Sequence, residues 1–236
     1  MIDSGFLDDI RYAPTMKRLK DGFTLIELLV VISVILIASS MIFIGGNAGA
    51  GASLGSSQRI ISGIAQGARG QAILKNAKTR LIIYNDLATD QEKYRRFFGL
   101  VYADPDDPDQ ANPTSWIAAT QGTSLPEGIY FDPTLSATHG WSEAATMRLE
   151  YPRSIAKAEG SGDEFYYYEF NRNGTMSSSP LDFVNDWLVI RAGTLKPGDD
   201  NSLDIEIGED QKYIISALIF RRSGTTTLVN DPDDIL

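Results

Sequence analysis

Residues 23–44 read FTLIELLVVISVILIASSMIFI, a run of 22 in which Glu27 carries the sole charge. As an α-helix rising about 1.5 Å per residue it extends roughly 33 Å, enough for a hydrocarbon core about 30 Å thick. Lys17, Arg18 and Lys20 precede it and the next basic residue is Arg59. The positive-inside bias therefore predicts a single pass, with the N-terminus cytoplasmic and the bulk of the chain outside. Two simpler readings compete. A cleaved secretory signal finds small residues at Ala48-Gly49-Ala50, but the run exceeds the usual apolar region of about 7 to 15 residues. A plain anchor fits the length. Glu27 argues against both, because an acid within the bilayer costs on the order of 2.5 to 3.5 kcal/mol at a helix centre, less toward the end, and marks a functional site by default.

Lys20-Asp21-Gly22 followed by Phe23-Thr24-Leu25-Ile26-Glu27-Leu28-Leu29 resembles the cleavage and methylation motif of type IV prepilins and type II secretion pseudopilins. The resemblance implies that prepilin peptidase cuts on the cytoplasmic side after Gly22, that the new amine on Phe23 is methylated, and that the apolar helix is kept. It also implies assembly into a filament through Phe23 and Glu27. Residues 1–22 form the leader in this reading. Asp3, Asp8, Asp9 and Asp21 are unusual in such leaders, and a start at Met16 leaves the shorter basic leader MKRLKDG.

Residues 45–57 are uncharged and rich in Gly, Ala and Ser. Glycine costs about 1 kcal/mol relative to alanine inside a helix, so this stretch is expected to be loosely helical or melted, a flexible joint. Gly51-Ala52-Ser53-Leu54-Gly55 fits the G-x-S-x-G nucleophile pattern, but that chemistry needs a strand before the serine, and none is expected here. Between Gln58 and Lys78, Ile60, Ile61, Ile64, Ala65, Ala68, Ala72 and Ile73 recur at helical spacing on one broad face. Beyond lie runs rich in branched and aromatic residues at 80–84, 97–102, 129–131, 147–151, 164–170, 186–191, 203–207, 212–222 and 225–229. Asn173-Gly174 and Ser223-Gly224 are expected to be hairpin turns. The predicted class is α+β: a long N-terminal helix, with a membrane half at 23–44 and an amphipathic half, packed on an antiparallel β domain that with the amphipathic helix fills residues 58–236.

The order of amphipathic helix, Ala68-Arg69-Gly70-Gln71-Ala72, strand, Leu125-Pro126-Glu127-Gly128-Ile129, Phe170-Asn171-Arg172-Asn173-Gly174-Thr175 and a closing hairpin is similar to the GspH/FimT group of minor pseudopilins. What this implies is a pilin-like fold and a minor pseudopilin of a type II secretion system. Its expected location is the bacterial inner membrane, with the C-terminal domain periplasmic and built into a periplasmic pseudopilus. Its partners would be other pseudopilins or pilins, prepilin peptidase and the membrane. A type IV pilus subunit, minor or major, is the alternative. A membrane-anchored periplasmic enzyme or sugar-binding module is a reading of a different class, and it requires a concave polar site.

Composition narrows the chemistry further. The chain of 236 residues has a net charge of −10, no cysteine and a single histidine, His139. Disulfides, cysteine zinc sites, thiol nucleophiles and multi-histidine metal centres are thereby excluded. The acidic balance argues against nucleic acid as a partner. No catalytic residues and no cofactor are expected, and the chain is read as not being an enzyme. Calcium is the one candidate metal, at Asp104-Pro105-Asp106-Asp107-Pro108-Asp109, Asp199-Asp200 or Asp231, Asp233 and Asp234, although no EF-hand spacing is present. His139 beside Gly140 reads as a loop residue. Asn173-Gly174-Thr175 is formally a glycosylation sequon but reads better as a turn. Trp116, Trp141, Trp187 and Tyr166-Tyr167-Tyr168 are read as core or cross-strand residues rather than a sugar platform, with alternation sending at least one tyrosine outward.

Overall fold

A computed structural model of the chain describes residues 24–44, 46–177, 185–197 and 203–236, with backbone alone at 36–44, 46–48, 197 and 203. The chain divides into two compact units after Ile44. The first unit contributes α1 (Leu25–Ile44), 20 residues long. Its large side chains from Leu25, 81 % exposed, to Ile35, 54 % exposed, find no cover, and they include Leu28, Leu29, Val30, Val31 and Ile32 in unbroken succession. Five consecutive positions sweep more than a full turn, so the helix is apolar all round rather than amphipathic. Ser33 turns its hydroxyl back onto Leu29 O at 2.7 Å, satisfying it within the helix. Among the described residues no helix is long and apolar enough to cross a membrane; the described side chains of α1 end at Ile35.

The second unit opens with α2 (Gly46–Lys75), one helix of 30 residues. Of the stretch expected to be loosely helical or melted, the described residues, 46–57, are helical. Tertiary anchoring offsets the glycine cost there. Leu54 packs on the core, Ser57 is fully buried with its hydroxyl on Ser53 O at 2.7 Å, and Gln58 Nε2 donates to Ala217 O and Val229 O at 3.4 and 3.3 Å. The helix also ends sooner than Lys78. Asn76 adopts φ 48°, with Asn76 N bonded to Ile73 O and Ala77 N to Ala72 O, the paired bonds of a Schellman stop.

The strands are β1 (Thr79–Tyr84), β2 (Phe97–Ala103), β3 (Ser115–Ala118), β4 (Thr123–Ser124), β5 (Ile129–Phe131), β6 (Thr146–Leu149), β7 (Lys157–Ala158), β8 (Asp163–Phe170), β9 (Asp186–Ala192), β10 (Thr194–Pro197), β11 (Leu203–Glu206), β12 (Ile215–Phe220) and β13 (Thr226–Val229), with a short helix α3 (Pro133–Thr138) after β5. The described pairings form an antiparallel sheet ordered β6-β8-β1-β2-β3-β7 with β4 beside β2, a second sheet β13-β12-β9-β5 and a hairpin β10-β11. One face of α2, made of Ile61, Ala65, Ala68 and Ala72, closes the core between the sheets, against Leu81, Ile83, Phe98 and Phe170 from one and Leu188, Ile190, Leu218 and Phe220 from the other. Small side chains on that face let the helix lie close to both sheets.

β1 is buried at every position because the first sheet is covered on both faces. Leu81 and Ile83 point into the α2 core, whereas Ile82 and Tyr84 join Val101, Trp116, Met147 and Phe165 on the far side. Arg80 shares that far face. Its guanidinium lies between the rings of Trp116 and Tyr167, 4.1 and 4.0 Å from their centroids, and pairs with Glu169 at 2.9 Å and with Glu159. Burial pushes the Glu169 carboxyl upward, yet Arg80 and Lys78 beside it outweigh that and hold it below the usual range.

Candidate processing and assembly site

Thr24 immediately precedes α1, and its carbonyl accepts from Leu28 N at 3.2 Å. Its hydroxyl accepts from Glu27 N at 3.3 Å, while Glu27 Oε2 reaches back to Thr24 N at 2.9 Å and Thr24 Oγ1 at 2.8 Å. Each side chain satisfies the other residue's orphan amide, so Thr24 and Glu27 form a reciprocal capping box. Helix α1 is therefore pinned to begin at Leu25, right after Thr24. Glu27 keeps a second oxygen, Oε1, with no hydrogen bond among the described residues. Gly22 and Phe23 themselves lie outside those residues, as does the rest of the leader. The capping role of Thr24 was missed from the sequence, although Thr-x-x-Glu ahead of an apolar run is its signal.

The other candidates separate on inspection. In the 104–109 loop, Asp107 spends Oδ1 on Asp109 N and Oδ2 on Thr114 N and Ser115 N, and Asp109 Oδ1 accepts from Ala111 N and Asn112 N. Those amide bonds hold both carboxyls below their usual range. Asp231 likewise accepts from Asp233 N, and Asp199-Asp200 lie outside the described residues. Among the described residues no three acidic or histidine groups converge on a point that would hold a metal. His139 stacks on Trp187 at 4.3 Å and its Nε2 meets Ile235 O at 3.0 Å, tying α3 to the end of the chain. Ser53 sits inside α2, without a preceding strand. Trp116 and Trp141 are buried, with Trp141 Nε1 on Tyr167 O at 3.2 Å, and Tyr168 is buried with its hydroxyl on Trp187 O at 2.7 Å. Tyr166 and Tyr167 are half-buried, packed against opposite faces of the first sheet.

The model of the prokaryotic N-terminal methylation motif matches residues 17–43, a stretch that includes the capping box and α1 as far as Phe43. This is a type IV prepilin-like signal. Such a signal indicates a precursor processed by prepilin peptidase, implies assembly with other pilins, and suggests a membrane-anchored N-terminus. No curated protein and no solved structure matches the chain. Around the prepilin-like signal the geometry adds one element: the acid of the motif is held in place by the residue that follows Phe23.

Proposed function

We propose that the chain is a minor pseudopilin of a type II secretion system, a structural subunit without catalytic activity that supports protein export. It enters the inner membrane once, with the leader cytoplasmic and the β domain periplasmic. Prepilin peptidase cuts after Gly22, and the new amine on Phe23 is methylated. The observation that carries this reading is the matched motif at 17–43, in which basic residues, Gly22, Phe23 and Glu27 lead into a helix apolar on every side.

Assembly follows from the same residues. In a filament core the Phe23 amine is a cation in apolar surroundings, and Glu27 of a neighbouring subunit neutralises it. Capping by Thr24 uses Oε2 and leaves Oε1 for that amine, so the carboxylate arrives already oriented. Burying the two charges is favourable only when they meet, which makes Glu27 a register device.

Intact mass and N-terminal sequencing of membrane-extracted protein test the reading. The expected mature chain begins at methylated Phe23 and retains 214 of the 236 residues. A mature start near Ala52, or an unprocessed leader, would overturn it. Gly22→Leu is expected to block the cut, since a bulky side chain beside the scissile bond clashes in a site that resembles those selecting glycine.

A further inference from the structure

We propose that the outer face of the second sheet, the one turned away from α2, is a receptor site for residues 230–236, and that the segment seated there exchanges with the same segment of a second copy. Val189 of β9 and Ile215 and Ala217 of β12 alternate with Leu188, Ile190 and Leu218, which face the α2 core. They form the floor of the site, and Leu135 of α3, Trp187 and His139 stand around it. Ile235 fills it. This side chain is 1 % exposed, in a segment that is otherwise exposed apart from half-buried Pro232.

The segment closes on itself. Asp231 Oδ1 accepts from Asp233 N at 3.1 Å, Asp231 O from Asp234 N at 3.2 Å, and Pro232 O from Ile235 N and Leu236 N at 3.1 and 3.0 Å. All of these bonds run within the segment, so they travel with it when it moves. Among the described residues a single hydrogen bond joins it to the rest of the domain, between His139 Nε2 and Ile235 O at 3.0 Å, with the imidazole held by its stack on Trp187. Asp231, Asp233 and Asp234 form no ion pair among the described residues and add no hold.

One aliphatic side chain and one hydrogen bond therefore keep the segment in place. A segment so lightly fastened opens locally, without loss of the sheet beneath it. Gln58 sets where the opening stops: its amide donates to Val229 O at 3.3 Å and pins the last residue of β13, so the hinge is the exposed Asn230.

Once open, the site turns Val189, Ile215 and Ala217 toward water, and burial of that apolar floor drives it to refill. The occupant that fits is the same segment from a second copy, because every contact and every internal bond is reproduced and only the link to Val229 changes. Exchange of identical elements between protomers costs little for this reason. Extended, residues 230–235 reach about 20 Å from Val229, so the two copies meet with their outer sheet faces opposite each other.

The test uses the full-length chain in non-ionic detergent and a fluorescein-labelled, carboxy-amidated peptide, VNDPDDIL, the sequence of residues 229–236. Ile235→Asp removes the plug and frees the site; thermal melts check its fold, and Ile235→Ser takes its place if it is unfolded. Anisotropy is expected to show saturable binding to the freed variant, and binding at least about tenfold weaker to the wild-type chain, whose own segment competes from a short tether. Serine in place of Ile235 in the peptide should abolish binding, and His139→Ala in the freed variant should weaken it about fivefold, the effect of one neutral hydrogen bond. Immobilised wild-type chain should retain the freed variant more strongly than it retains wild type, and excess peptide should release the difference. A folded freed variant that binds no peptide, or wild type that binds it as tightly, overturns the receptor site. Equal retention of the two chains overturns the exchange. Loss of the fold in both Ile235 variants overturns the proposal as well, because the segment is then part of the core. None of these readouts depends on whether Gly22 is cut.

Discussion

Two helices follow one another in this chain and use opposite strategies. Helix α1 is built of large aliphatic residues, yet its described ones are exposed; α2 is built largely of Gly, Ala, Ser and Gln, yet one face of it is sealed between two sheets. Hydrophobicity by itself does not say which helix a domain keeps. Periodicity does: α1 offers no polar side to turn toward water, so its burial has to come from outside its own fold, whereas α2 has one narrow face that its own sheets can cover. The first helix leaves an apolar surface open, and the second is a structural wall.

Substitutions break this contrast in order of size. Ile61→Asp puts a charge into the sealed face of α2 and should unfold the domain, a loss of more than about 4 kcal/mol, seen as loss of the cooperative melt. Leu29→Asp in α1 should leave that melt unchanged and instead impair membrane insertion, so a shared effect would refute the division. Glu27→Leu comes next. It should be inserted and cleaved normally but fail to cross-link into the filament, where an unpaired amine costs about 3 to 5 kcal/mol. Equal incorporation of variant and wild type would remove the pairing role. Ala68→Leu, which overfills the core, is expected to cost about 1 to 3 kcal/mol in denaturant unfolding, and Val31→Leu on α1 nothing measurable.

The smallest effect is one of pH. Burial pushes the Asp186 carboxyl up to about 6, above its ordinary value near 3.8. Ionising it in the folded chain therefore costs stability that is intact below about pH 4, is lost as pH rises toward 6, and stays lost above. Asp186→Asn should stabilise the domain at pH 7 by on the order of 1 to 2 kcal/mol, the value being reduced because the group is partly solvated, and should change nothing at pH 3.5. A gain of the same size at both pH values would trace to packing instead.

How much of this was legible depended on where the cause lay. The α1 run, the Ile61, Ala65, Ala68 and Ala72 face and both hairpin turns announce themselves, because each is fixed by local chemistry: apolar continuity, helical period or a residue tolerant of positive φ. The helix over residues 46–57 was only half legible, since glycine propensity weighs against it and the hydrogen bonds of Gln58 that anchor it come from more than 150 residues away. The short strands β3, β4, β7 and β10 escaped for the same reason; β7 is two residues whose only claim to being a strand is the neighbour they pair with. Nothing in the sequence announced the burial of Arg80, which comes from Trp116, Tyr167 and two glutamates closing around it. At the candidate site the motif was plain, whereas the part played by Thr24 lay in a hydrogen bond that composition and hydropathy do not reveal.

Gln58 has a mechanical meaning. Following the chain inward from Gly46, the first side chains to grip the rest of the domain are Leu54 and Gln58, and Gln58 grips the hairpin made by β12 and β13, the last two strands of the sequence. Tension applied to the N-terminal end of α2 therefore lands on the C-terminal hairpin early. The domain is closed like a drawstring bag: the near end of α2 and the last hairpin, far apart in sequence, are knotted together at the point of pull.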